Sequence, residues 1–556
     1  MARTGAEYIE ALKTRPPNLW YKGEKVEDPT THPVFRGIVR TMAALYDLQH
    51  DPRYREVLTY EEEGKRHGMS FLIPKTKEDL KRRGQAYKLW ADQNLGMMGR
   101  SPDYLNAVVM AYAASADYFG EFAENVRNYY RYLRDKDLAT THALTNPQVN
   151  RARPPSGQPD PYIPVGVVKQ TEKGIVVRGA RMTATFPLAD EVLIFPSTLL
   201  QAGSEKYALA FALPTSTPGL HFVCREALVG GDSPFDYPLS SRVEEMDCLV
   251  IFDDVLVPWE RVFILGNVEL CNNAYAATGA LNHMAHQVVA LKTAKTEAFL
   301  GVAALMAEGI GADVYGHVQE KIAEIIVYLE AMRAFWTRAE EAAKENAYGL
   351  LCPDRGALDG ARNLYPRLYP RIREILEQIG ASGLITLPSE KDFKGPLGPF
   401  LEKFLQGAAL EAKGLKPLHL PGPERTVLGA LGDERVLAEL DQLHIRHLGH
   451  EERRAEPSAQ GGGLGHQRSV ASGTGQAAGA RHRLLEGIVA QGPRSGTEPE
   501  PGLGPLDDVG MWVSVEKIDH LLVPGPGRFV RQRNHGAPCG LGQVLGRVRF
   551  RARQLP

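Results

Sequence analysis

Between Arg100 and Gly157 the chain gathers side chains suited to binding an anionic, planar ligand and moving a proton. The stretch opens Arg100-Ser-Pro-Asp-Tyr104. After a helical run it continues Thr141-His142-Ala-Leu-Thr-Asn146-Pro-Gln148-Val-Asn-Arg151-Ala-Arg153-Pro-Pro-Ser156-Gly157. Ser101 can cap a helix and Pro102 suits a first helical turn, so Arg100 is expected just outside a helix N-terminus, with Tyr104 on the first turn. Both can then face one cleft. His142 supplies an acid/base group near neutral pH, and the residues after it add amide and guanidinium donors on a non-helical, proline-punctuated loop. Singly, such residues are ordinary: an Arg in that place is usually solvated, and a lone His is usually structural. The surrounding elements decide between these readings.

Composition narrows the classes. At 556 residues, with 43% hydrophobic and 24% charged, the chain reads as a soluble globular protein with more than one core. A formal net charge of -2 creates no field that favours nucleic acid or an anionic membrane surface. The five cysteines, Cys224, Cys248, Cys271, Cys352 and Cys539, show no C-x-x-C spacing. That argues against zinc, against an iron-sulfur site and against a disulfide framework. The N-terminus lacks an apolar signal core and no segment is apolar for long enough to span a bilayer, so a cytoplasmic location is expected.

Residues 1 to about 138 read as helical. Val34, Ile38, Met42, Leu45 and Leu48 recur at helical spacing within Thr31 to His50. Thr76-Lys-Glu-Asp79 is a helix start leading through Leu80, Tyr87 and Trp90, and further helices follow Ser101 and Gly120. From about Thr140 to Val268 short apolar runs take over, starting at Pro164, Gly174, Glu191, Tyr207, Leu220 and Cys248. They suggest a small barrel or sandwich. Two loops there place hydroxyls near apolar strands: Arg181-Met-Thr183-Ala-Thr185, and Phe195-Pro-Ser197-Thr198 followed by Ala202-Gly-Ser-Glu-Lys206. Hydroxyl pairs of this kind ordinarily cap turns. Residues from about Asn272 to Leu410 return to helix, with long amphipathic runs over Leu281 to Met306 and Val318 to Asn346. No β-α-β alternation and no G-x-G-x-x-G after a strand supports a Rossmann fold.

Asp253-Asp-Val-Leu-Val-Pro258-Trp-Glu-Arg261-Val-Phe, with Arg100-Ser-Pro-Asp-Tyr104, Thr141-His142 and Asn146-Pro-Gln148, resembles the oxygenase component of the 4-hydroxyphenylacetate 3-monooxygenase family over about Met1 to Lys413. The resemblance implies an acyl-CoA dehydrogenase-like α+β fold: an N-terminal helical domain (1–138), a middle antiparallel β-barrel (139–268) and a C-terminal helical bundle (269–413), assembled as a homotetramer. It implies reduced FAD supplied by a separate NAD(P)H-flavin reductase, reaction with O2 to a flavin C4a-hydroperoxide, and ortho-hydroxylation of a small phenolic acid. No metal is expected.

By the same resemblance Arg100, Tyr104 and His142 are catalytic and surround the phenol, with His142 at the phenol oxygen. Ser197 and Thr198 contact the substrate's carboxylate. The implied flavin contacts are His142, Asn146, Gln148, Arg151, Ser156, Gly157 and Thr185. A related lyase, 4-hydroxybutyryl-CoA dehydratase, needs cysteines near positions 100 and 104, and this chain has none before Cys224. His283 and His286 look like half a metal site but lack a third ligand, which favours packing or an oligomer contact.

The resemblance stops near Lys413. Beyond it Arg, Gly and Pro dominate, Tyr is absent and Lys517 is the one lysine past Lys416. Residues 414–556 read as either a disordered tail or, in better accord with this composition, a GC-rich coding region read out of frame. In that second case the bundle is truncated, and the alternative function is an inactive flavin-binding or assembly protein.

Overall fold

A computed structural model describes residues 2–405 and 407, apart from 100, 148, 151, 184, 185, 196–198 and 232. The described residues all belong to one of the chain's two compact units.

The first block holds helices α1 (Gly5–Thr14), α2 (Arg36–Asp47), α3 (Arg55–Leu58), α4 (Lys77–Gln93), α5 (Pro102–Ala114) and α6 (Ala123–Lys136). The Thr76 hydroxyl accepts from the Asp79 N–H at 3.1 Å while the Asp79 carboxylate accepts from the Thr76 N–H at 3.0 Å, so α4 starts at the capping box its sequence implies. The block is not purely helical. It also contains strands β1 (Leu19–Tyr21), β2 (Glu24–Lys25), β3 (Thr59–Glu62) and β4 (Lys65–Gly68). Helix α2 starts at Arg36, not Thr31, because the chain turns at His32, whose carbonyl accepts from the N–H groups of Phe35 and Arg36.

The middle block supplies β5 (Thr140–Thr145), β6 (Gly166–Thr171), β7 (Gly174–Thr183), β8 (Glu191–Ile194), β9 (Leu209–Pro214), β10 (Leu220–Cys224), a short helix α7 (Ser240–Val243), β11 (Cys248–Pro258) and β12 (Val262–Leu265). With β1 and β2 they form one ten-stranded sheet in the order β12-β9-β8-β5-β7-β11-β10-β1-β2, with β6 paired to β7.

The expected antiparallel barrel is corrected on two points. Strand β5 runs parallel to β8, and β1 parallel to β10, so the sheet is mixed. Its ends, β12 and β2, do not pair with each other among the described residues, so it is open. The reason lies at the edge: β1 from the first block covers β10, and β2 is two exposed residues, Glu24 and Lys25, too short and charged to recruit a closing strand.

The last block comprises α8 (Val268–Ala277), α9 (Ala280–Gly309), α10 (Gly316–Glu341), a hairpin of β13 (Lys344–Glu345) and β14 (Leu351–Cys352), α11 (Arg355–Gly380), α12 (Glu390–Phe393) and α13 (Gly398–Phe404). Helix α9 packs against α4, α5, α10 and α11, which makes it the post joining the first and last blocks. Phe299, Leu300, Ile325, Leu329, Ile372 and Leu376 form the buried seam of the bundle.

Candidate active site

Helix α5 packs against strand β5, and both contribute to the largest hydrophobic core among the described residues. Tyr104, on the first turn of α5, is 6% exposed, and its ring lies 5.6 Å from that of His142, which is 2% exposed. Phe195, just after β8, stacks on His142 at 6.2 Å with an interplanar angle of 23°. Tyr275 of α8 meets Phe195 edge-on at 4.7 Å. The parallel β5–β8 pairing sets this row, because His142 is the register partner of Leu193, two residues before Phe195. An aromatic row with an imidazole in its middle suits a planar ring and its hydroxyl.

His142 lies on β5, where both backbone edges are occupied by β7 and β8 and the ring direction is fixed by the sheet, and the loop begins after Thr145. Ser101 occupies the cap position of α5 but does not cap it with its side chain. Its hydroxyl donates to Asp103 Oδ1 at 2.6 Å, a stronger, charge-assisted acceptor.

Asn146 follows β5 at once, and its Oδ1 is buried without a hydrogen-bond partner among the described residues. Ser156 and Gly157 lie in an exposed 3-10 turn, Pro155–Gly157. The loop that carries them is closed on itself by Gln158, whose amide donates to the carbonyls of Asn150 and Arg153 at 2.9 and 3.1 Å. The structure thus brings Tyr104 and His142 together, with Asn146 one residue past the end of β5. Arg100, Gln148, Arg151, Thr185, Ser197 and Thr198 lie outside the described residues.

Two residues with claims on this site were not singled out. Asp103 is 2% exposed and its carboxyl is pushed up to about 6 by burial, opposed by hydrogen bonds from Ser101 and from Gln287 of α9 at 3.3 Å. Arg181 of β7 is 1% exposed and donates from Nη1 to the Leu144 carbonyl at 2.8 Å, anchoring the end of the strand that carries His142. Burial pushes its guanidinium down to about 10, still high enough to stay charged at neutral pH. A buried cation beside β5 favours a bound anion. The signal available for both was their position, one residue before Tyr104 and within the Arg181–Thr185 segment.

His283 and His286 of α9 are both fully buried. The Nε2 of His286 lies 2.9 Å from Glu340 Oε1 and accepts from the Trp336 indole N–H at 2.9 Å. These are packing contacts inside the bundle. Among the described residues no group of three or more His, Cys, Asp or Glu is placed to hold a metal ion.

Two family models match the chain, 4-hydroxyphenylacetate 3-hydroxylase N terminal over residues 4–264 and C terminal over residues 271–414. The chain belongs to the 4-hydroxyphenylacetate 3-hydroxylase family. It is 99% identical over 413 residues to the 4-hydroxyphenylacetate 3-monooxygenase oxygenase component of Thermus thermophilus, a match covering 74% of this chain and 86% of that protein. It is also similar to a crystal structure of the oxygenase component (HpaB) of 4-hydroxyphenylacetate 3-monooxygenase complexed with FAD and 4-hydroxyphenylacetate. There the identity is 92% and the TM-score 0.74, covering 79% of this chain and 89% of that one.

An archaeal 4-hydroxybutyryl-CoA dehydratase from N. maritimus shares the fold alone, at 20% identity with a TM-score of 0.69 over 84% of this chain and 98% of that one. The C-terminal family match ends at residue 414, where the composition of the chain changes.

Proposed function

We propose that this chain is the oxygenase component that hydroxylates 4-hydroxyphenylacetate ortho to its phenol, giving 3,4-dihydroxyphenylacetate. The observation that carries the reading is the buried Tyr104–His142–Phe195 row, in a chain 99% identical over 413 residues to an oxygenase of that name. One group tests the fit to FAD: Asn146 Oδ1 is buried and unpartnered among the described residues, as an acceptor for the imide edge of a flavin should be. Reduced FAD, when bound, supplies two electrons, so that with O2 one oxygen atom enters the ring and the other leaves as water.

The chain's own residues act on the substrate. His142 accepts the phenol proton or holds the phenolate oxygen, which makes the ortho carbon electron-rich. Tyr104 orients the phenol from α5, and Arg100 stabilises the charge that develops there. Phe195 and Tyr275 close the apolar side of the row and exclude water. Ser197 and Thr198 hold the substrate's carboxylate, and Gln148, Arg151, Ser156, Gly157 and Thr185 contact the flavin.

The partners in this reading are a separate NAD(P)H-flavin reductase and three further copies of the chain in a cytoplasmic homotetramer. The blocks 1–138, 139–268 and 269–413 correspond to the three parts of the acyl-CoA dehydrogenase-like organisation. A second reading, an inactive flavin-binding or assembly protein, is favoured by one fact: the C-terminal family match ends at residue 414 of 556.

A coupled assay separates the two. The chain alone should consume no NADH. With a flavin reductase, FAD and O2 it should convert 4-hydroxyphenylacetate to catechol product, whereas hydrogen peroxide as the sole product would support the inactive reading.

A further inference from the structure

We propose that Cys224 and Cys248 are a peroxide-oxidisable dithiol, which closes to a disulfide tying β10 to β11 beside the strand end at Thr183. The two cysteines are direct register partners in the antiparallel β10–β11 ladder. Their Sγ atoms lie 3.4 Å apart. The Arg225 N–H donates to the Asp247 carbonyl at 3.0 Å, so residues 225 and 247 form a hydrogen-bonded pair and 224 and 248 the neighbouring non-hydrogen-bonded one. At such pairs the Cα atoms approach to about 4.5 Å, inside the roughly 4.4–6.8 Å that a disulfide spans. Closure therefore asks for side-chain rotation and little backbone movement.

The pair is asymmetric in access. Cys224 is half-buried and Cys248 buried, and burial raises the Cys248 thiol well above its usual range. Oxidation starts at Cys224. Its thiolate attacks one oxygen of hydrogen peroxide; an S–O bond forms, the O–O bond breaks, and the released hydroxide takes a proton to leave as water. The Cys248 sulfur then attacks the Cys224 sulfenic acid; the S–S bond forms, the S–O bond breaks, and the Cys248 thiol proton leaves with the hydroxyl as a second water. Two thiols are oxidised and one peroxide is reduced to two waters.

The pair sits on a ladder that runs across the sheet to β5. Cys248 is also the register partner of Thr183 on β7, whose hydroxyl donates to the Cys248 carbonyl at 3.3 Å. Thr183 pairs in turn with Ala143 on β5, next to His142. The dithiol thus belongs to the same sheet as His142, in register with its neighbour Ala143 and so on the face opposite the His142 ring. Cys271 and Cys352 are buried and direct their thiols to the carbonyls of Leu209 and Leu350, which makes them internal controls.

The test adds hydrogen peroxide directly to the full chain, so its outcome does not depend on hydroxylase activity. After alkylation of the remaining thiols, peptides are mapped without reduction. The expected result is a linked peptide containing Cys224 and Cys248, two of the five thiols lost, and recovery of both with dithiothreitol. Cys224→Ser should abolish the link and leave Cys248 alkylated, while Cys352→Ser should form it normally. Cys224 found as sulfinic or sulfonic acid without a link, or both cysteines fully alkylated after peroxide, would overturn the proposal.

Discussion

The ring of His142 is held between Tyr104 and Phe195, 5.6 and 6.2 Å away, with 2% of the residue reached by solvent. A proton acceptor so enclosed can serve a bound phenol better than it can serve water. His142→Ala should lower the rate of hydroxylation by about 10²- to 10⁴-fold, the usual worth of a positioned acid/base group. Reduced flavin should still be oxidised by O2, so hydrogen peroxide should replace catechol. Product and peroxide quantified per flavin oxidised give the answer, and a fully coupled His142→Ala protein would show that His142 has no such role. The types of Tyr104 and His142 and their likeness to a family motif were legible in the sequence. The burial of Asp103 and Arg181 was not, because charged residues are almost always solvated, and only the tertiary packing of α5, α9 and β7 reverses that expectation.

Helix α5 is joined to α9 through a buried polar contact, Gln287 Nε2 donating to Asp103 Oδ1 at 3.3 Å. The Asp103 carboxyl is pushed from 3.8 to about 6, chiefly by burial. Between those values the folded chain keeps a proton that the unfolded chain releases. Stability from this group is therefore fullest below pH 3.8, falls as pH rises toward about 6, and is flat above. Asp103→Asn should remove that slope and stabilise the fold at neutral pH by roughly 1–3 kcal/mol. Denaturation followed from acid to neutral pH checks this, and an unchanged slope would refute it. Local signals predicted elements well: the Thr76–Asp79 capping box and the apolar runs at Gly174, Glu191 and Cys248 are where helix α4 and strands β7, β8 and β11 begin. Strand β5 was hidden by its polar residues, Thr140, Thr141, His142 and Thr145, whereas α11 lies within the stretch read as helical despite Pro366 and Pro370 inside it. Sheet order was hidden for a different reason, since the pairing of β1 with β10 joins segments far apart in sequence.

Across the whole molecule, the family match and the helix-sheet-helix order account for residues up to about 414, and α9 ties the outer blocks together. No helix among the described residues is long and apolar enough to cross a membrane. With reduced flavin and O2 alone, this chain should insert oxygen into a phenolic acid. The most direct test is a single turnover: the full chain, chemically reduced FAD and 4-hydroxyphenylacetate are mixed with O2, without NADH or reductase, and the products are separated by chromatography. The expected product of that one addition of reduced flavin is 3,4-dihydroxyphenylacetate. Complete flavin oxidation with hydrogen peroxide and unchanged 4-hydroxyphenylacetate would contradict it.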